Sequence, residues 1–190
     1  MPRVARYNYL LKVIEEYKCK SILEIGTCRC ESALSMIEKA KINGEVIYYG
    51  FDLFETITEE LYQREKSKLP ISFKEAVSKL KVLGENVFLF MGNSRVAVPY
   101  AIQKHLIKSI DLIFIDGGHS YNTVKTDWEN IQPIIGKKTV VIFDDYMPDK
   151  EFGIGPAKVV DEIDREKFTV DFPKEAVDEC SRMVKVRRRC

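Results

Sequence analysis

The chain has almost no net charge. Thirty Lys and Arg stand against 29 Asp and Glu, a formal +1 over 190 residues. That balance gives no bulk electrostatic attraction to nucleic acid or to a membrane surface. Arg187-Arg188-Arg189 is a short basic run, of the kind that is ordinarily solvated. Long apolar runs are missing too. No stretch approaches the length of a membrane span. Glu15 and Glu16 interrupt any apolar signal core near the N-terminus. The five cysteines, Cys19, Cys28, Cys30, Cys180 and Cys190, lack zinc-pair spacing, since Cys28-x-Cys30 has no second pair. They read as reduced thiols in a cytoplasmic protein. A bridge between Cys28 and Cys30 would be strained. Histidine occurs only at His105 and His119.

What is present is an ordinary globular composition, 45% apolar and 31% charged, at a length that suits one domain. Elements alternate along it. Tyr7, Leu10, Leu11, Ile14 and Tyr17, preceded by Val4, have helical spacing within an N-terminal helix over 1–18. Short buried strands are predicted at 21–26, 46–52, 87–91, 111–115 and 139–145. Helices are predicted at 31–41, 95–107 and 157–163, with a charged helical insertion or cap over 53–85 broken by Pro70. Tyr121, Val124, Trp128, Ile131 and Ile135 form the stripe of a helix lying on a sheet, stopped by Gly136. Residues 167–172 and 183–188 alternate, which predicts an antiparallel pair. This order implies an α/β fold with a mostly parallel sheet and helices on both faces.

In such a sheet, ligands bind beyond the carboxyl ends of the strands. Asp116 ends one predicted strand, and Asp144 and Asp145 end another about one βαβ unit later. Neighbouring strands would bring the three carboxylates to one rim, roughly 5 Å apart. Three hard oxygen donors suit Mg²⁺, Mn²⁺ or Ca²⁺. The same residues could instead cap a helix and face solvent. His119, on the loop after Asp116-Gly117-Gly118, is a candidate general base or a helix-entry residue. His105 falls in a helical stretch and reads as structural. At the first strand end, Glu24-Ile25-Gly26-Thr27 offers one glycine for close backbone approach of a ligand, or for a plain tight turn. Asp52, at the second strand end, could accept hydrogen bonds from ribose hydroxyls. Asn93 in Gly92-Asn93-Ser94 could read a base edge or shape a turn.

Ile22 to Thr27, Gly50-Phe51-Asp52, Gly92-Asn93-Ser94, Ile115 to Tyr121 and Phe143 to Tyr146 together resemble the class I S-adenosylmethionine-dependent methyltransferases over nearly the whole chain. The small-molecule O-methyltransferase branch is the most similar. The resemblance implies a Rossmann-like seven-stranded sheet with an antiparallel last strand. It implies S-adenosylmethionine held by Glu24, Gly26, Thr27, Asp52, Asn93, Ser94 and Asp116. It also implies a divalent metal, Mg²⁺ first, at Asp116, Asp144 and Asp145, with His119 and Asp116 serving catalysis. The expected partner is a small-molecule acceptor, and a homodimer is compatible with the pattern. Two departures stand out. Cys28 and Cys30 occupy positions where relatives usually carry glycine, and the N-terminal part is short. Two other readings remain at this point: a non-catalytic S-adenosylmethionine-binding partner subunit, and an NAD-dependent oxidoreductase, which would use Asp52 equally well.

Overall fold

The computed structural model describes residues 5–65, 68–84, 86–177 and 181–189. Val4, Cys180 and Cys190, which figure in the sequence patterns, lie outside them, as do residues 66, 67 and 85 of the predicted insertion. Seven strands form one sheet: β1 Ser21–Ile25, β2 Ile47–Asp52, β3 Val87–Met91, β4 Leu112–Ile115, β5 Val140–Phe143, β6 Phe168–Asp171 and β7 Val184–Arg188. Their order is β3-β2-β1-β4-β5-β7-β6, with β7 antiparallel to both its neighbours and every other pairing parallel. The helices are α1 Ala5–Glu16, α2 Glu31–Ala40, α3 Glu59–Glu65, α4 Phe73–Lys81, α5 Ser94–Gln103, α6 Tyr121–Ile131 and α7 Ile154–Asp161.

The central strands β1, β2, β4 and β5 are mostly apolar because both their faces are covered. Side chains alternate between two cores. Ile22, Tyr48, Phe114 and Ile142 point to one face, where they join Leu10, Ile14, Met36 and Leu80 of α1, α2 and α4. Leu23, Tyr49, Ile113 and Val141 point to the other, where Val98, Val124, Trp128 and Val159 of α5, α6 and α7 cover them. Trp128 stands edge-on to Phe168, their ring centroids 5.0 Å apart. None of the described helices is long and apolar enough to cross a membrane.

Most predicted elements appear within a few residues of their expected ends. One differs in substance. The helix expected to run to residue 107 stops at Gln103. His105 sits just past it with φ +53°, and the Leu106 amide bonds back to the Ala101 carbonyl at 3.0 Å. His105 therefore belongs to the turn that ends α5, not to its interior. The apolar residues Leu106 and Ile107 prolong the helical pattern in sequence, but a left-handed backbone residue cannot continue a right-handed helix.

Candidate active site

The chain leaves β1 for β2 on one side and β4 lies on the other, so a crevice opens where the strand order reverses. A cavity of about 910 Å³ occupies it. One backbone junction builds its floor. Gly26 has φ +96°, and a Cβ placed there would come 2.1 Å from the Asp116 carbonyl oxygen and 2.6 Å from the Gly117 Cα. The sequence offered ligand approach or a tight turn as reasons for Gly26. The structure adds a close approach by the chain itself, where the β1 loop crosses the β4 loop, and glycine is needed to seat one against the other.

Beyond Gly26 the loop turns twice through left-handed backbone, at Cys28 (φ +46°) and Cys30 (φ +62°). Left-handed backbone of this kind favours glycine, so two cysteines hold it here against a steric preference. Burial pushes the Cys28 thiol up to about 11 and the Cys30 thiol up to about 12, so neither is a ready nucleophile near neutral pH. Asp52 braces the loop. One carboxylate oxygen accepts from the Cys28 amide at 2.6 Å and the Thr27 hydroxyl at 3.4 Å, and the other accepts from the Phe54 amide at 2.9 Å. Asp52 still lines the cavity, as do Gly26, Thr27, Asn93, Ser94 and Asp116. Asn93 is the N-cap of α5, its side-chain oxygen accepting from the Arg95 amide at 3.0 Å. Glu24 is apart from this group. It is fully buried, does not line the cavity and receives a short hydrogen bond from the Tyr48 hydroxyl. Burial pushes its carboxyl up to about 7, against the opposing effect of that bond.

β4 and β5 are paired, and their ends bring Asp116, Asp144 and Asp145 together. One oxygen from each lies within 4.8 Å of the others. All three are hard donors at a spacing that fits a divalent cation. Burial, then the charges of Asp144 and Asp145, hold the Asp116 carboxyl well above the usual carboxylate range. Burial and Asp145 push Asp144 up to about 7, against Arg6. Burial would raise Asp145 as well, but hydrogen bonding and charge from His119 prevail and hold it low. Asp145 has φ +58°, an uncommon backbone for a non-glycine residue, and this turn sets its carboxylate 2.9 Å from His119 Nε2. The other imidazole nitrogen, Nδ1, is buried and has no hydrogen-bond partner among the described residues.

Two groups that the motifs did not reveal complete the site. Arg6 and Tyr7, on the first turn of α1, reach the acidic rim. Arg6 Nε lies 3.1 Å from one Asp144 oxygen and 3.2 Å from the other, and the Tyr7 hydroxyl donates to Asp116 at 3.5 Å. Charge from Asp116 and burial hold the Tyr7 phenol well above its usual range. A polar residue at i, i+4, i+7 spacing with Leu10 and Val13 was the available sequence signal. Glu65, the last residue of α3, is the second. It is 5% exposed and accepts from the Ser120 amide at 2.9 Å and from the Ser120 and Thr123 hydroxyls. It thereby fixes α3, whose Leu61 and Arg64 line the cavity, to the start of α6.

A family model described as a methyltransferase domain matches residues 23–146. No curated protein matches the chain. Solved structures similar to it include a Podospora anserina methyltransferase bound to S-adenosylhomocysteine, at 18% identity and TM-score 0.67, covering 97% of this chain and 78% of that one. The O-methyltransferase TomG of Streptomyces achromogenes, involved in tomaymycin synthesis and solved with S-adenosylmethionine, is 13% identical at TM-score 0.67, covering 95% and 78%. A Bacillus cereus O-methyltransferase solved with S-adenosylhomocysteine is 17% identical at TM-score 0.62, covering 99% and 82%. At these identities the likeness is one of fold. The family match spans β1 to the end of β5, the segment that carries the glycine junction, Asp52, the His119 loop and the acidic rim. The chain belongs to the methyltransferase domain family, the S-adenosylmethionine-dependent methyltransferases of class I fold.

Proposed function

We propose that the protein transfers a methyl group from S-adenosylmethionine to a hydroxyl oxygen of a small molecule. The observation that carries this reading is that one cavity is lined both by the glycine-junction residues and by the paired His119 and Asp145. Its volume of about 910 Å³ lies near the upper end of small-ligand pockets, enough for a cofactor and a small acceptor side by side. When bound, the cofactor supplies an activated methyl on a sulfonium. Transfer to the acceptor oxygen would break the methyl–sulfur bond and release S-adenosylhomocysteine.

The chain's part is alignment and removal of the acceptor proton. In this reading Gly26, Thr27, Asp52, Asn93, Ser94 and Asp116 surround the cofactor, with Glu24 bracing β1 behind them. Asp145 accepts a hydrogen bond from His119 Nε2–H, which fixes the tautomer and leaves Nδ1 with the unprotonated lone pair that a general base requires. Asp116 orients the acceptor through the rim it shares with Tyr7. A divalent ion that displaced Arg6 from Asp144 would be held by Asp116, Asp144 and Asp145 and would supply Lewis acidity to the acceptor hydroxyl.

The test is a set of melting curves with S-adenosylhomocysteine or NAD, each with and without Mg²⁺, followed by methyl transfer to a panel of hydroxyl, amine and carbon acceptors. A ligand at 100 times its Kd adds about 2.7 kcal/mol to stability, which a melting curve resolves. A shift with S-adenosylhomocysteine and not with NAD is expected. A shift with NAD alone, or methyl transfer confined to nitrogen or carbon acceptors, would refute the proposal.

A further inference from the structure

Arg6 stands between Asp144 and the cavity. Arg6 lines the cavity and Asp144 does not, although Asp116 and Asp145 both do. The two side chains are 10% and 0% exposed, so this ion pair is shielded from solvent. The guanidinium Nε spans both Asp144 oxygens, at 3.1 and 3.2 Å. The first of these oxygens also accepts from the Asp145 amide at 2.8 Å and the Ser181 hydroxyl at 3.4 Å. An ion bridging the three carboxylates needs an Asp144 oxygen on the side that Arg6 covers. Metal–oxygen distances of about 2.1 Å would set such an ion within roughly 5 Å of the guanidinium, in a pocket shielded from bulk solvent, where two positive charges repel strongly.

We propose that Arg6 is the resident cation of the acidic rim, taking at Asp144 the place of a divalent ion, so that such an ion and a seated α1 exclude one another. Tyr7, Leu10 and Leu11 follow Arg6 on the same helix and wall the same cavity. An ion that displaces Arg6 therefore also loosens the first turn of α1 and opens that wall. With Arg6 seated, the rim is organised from within the chain. Arg6 holds Asp144, Asp144 accepts the Asp145 amide, and that bond fixes the left-handed turn that aims Asp145 at His119. Arg6 is in this sense a positioning residue.

The experiment is a titration of Mn²⁺, followed by its electron paramagnetic resonance, into the full chain without cofactor or acceptor. Its outcome is thus independent of whether the chain methylates oxygen. Arg6→Met is expected to bind Mn²⁺ at least tenfold more tightly than the unaltered chain, and Asp144→Asn added to Arg6→Met is expected to cancel the gain. Arg6→Gln keeps a hydrogen-bond donor without the charge and should show the same gain; it decides the question if Arg6→Met does not fold. Equal Mn²⁺ affinity with and without Arg6, whether strong or undetectable, overturns the proposal. So does a gain that survives Asp144→Asn.

Discussion

Replacing Glu65 by alanine should detach α3 from the start of α6 at a cost of about 3 kcal/mol. The carboxylate accepts from the Ser120 amide at 2.9 Å, the Ser120 hydroxyl at 3.1 Å, the Thr123 hydroxyl at 3.0 Å and Arg64 Nε at 3.0 Å. Hydroxyls can turn to other partners, and Ser120 already reaches Thr123 at 3.0 Å. The Ser120 amide cannot turn. A buried amide left unpaired costs about 1–3 kcal/mol, and the lost charge-assisted bonds a similar amount. Gly118 shows how closely the group is seated, since a Cβ there would meet a Glu65 oxygen at 2.5 Å. The pH dependence has a definite sign. Burial would raise the Glu65 carboxyl, but its hydrogen bonds, led by the Ser120 amide, hold it below the usual 4.5. A carboxyl depressed in the folded state stabilises above its unfolded pKa, and that stabilisation is lost as pH falls through the folded value. Urea unfolding of the unaltered chain and Glu65→Ala should therefore differ by about 3 kcal/mol at pH 7, with the gap closing below about pH 4.5. S-adenosylhomocysteine affinity should fall in the variant, because Ile57, Leu61 and Arg64 line the cavity. A difference under about 1 kcal/mol at pH 7, or one that does not shrink in acid, would refute this account of the latch.

Gly26→Ala should destabilise by about 3 kcal/mol or more, because the added methyl meets backbone that cannot step aside and the residue is held at φ +96°; thermal melts with S-adenosylhomocysteine should also lose their ligand shift. Asp145→Asn keeps a residue tolerant of left-handed backbone but removes the charge on His119 Nε2, so methyl transfer should fall by about 10²-fold or more while S-adenosylhomocysteine binding holds. Steady-state rates alongside a binding titration would separate the two effects. Asp127 is 1% exposed and burial pushes its carboxyl up to about 7, with the Ser94 side chain and Arg95 charge only partly offsetting it. A raised carboxyl means the fold loses stability as pH climbs from the unfolded value towards 7. Asp127→Asn should therefore gain stability over the unaltered chain at pH 8, by at most about 4 kcal/mol, and gain little at pH 4. Denaturation midpoints at the two pH values would show it.

The strand ends were the most legible part of the site. β4 and β5 are buried on both faces, so Leu112 to Ile115 and Val140 to Phe143 are continuous apolar runs, and the first polar residue after each marks the rim. The antiparallel pair at the C-terminus was legible through its alternation, although nothing in that alternation indicated that β7 would insert between β5 and β6. Contacts made across long sequence gaps were illegible. Arg6 meets Asp144 138 residues away, and Glu65 meets Ser120 55 residues away. Such pairs leave no local periodicity to read. Gly26 stood out in the sequence, but a sequence cannot say whether the close neighbour of a glycine is a ligand or the protein's own backbone, and the structure shows backbone.

The position of β7 sets an order of assembly. β1 to β5 can pair as their residues emerge, but β6 precedes β7 in the chain and touches the sheet only through it. β6 must therefore wait for the strand that follows it. The segment entering β7 also brings Ser181 to Asp144 and gives the Arg182 carbonyl to the Tyr146 amide at 3.0 Å. A growing or truncated chain that lacks it presents β5 as an open edge and an acidic rim with one wall missing. Completion of the sheet and completion of the active site are then the same late event, so a partly made chain is barred from forming a finished catalytic centre.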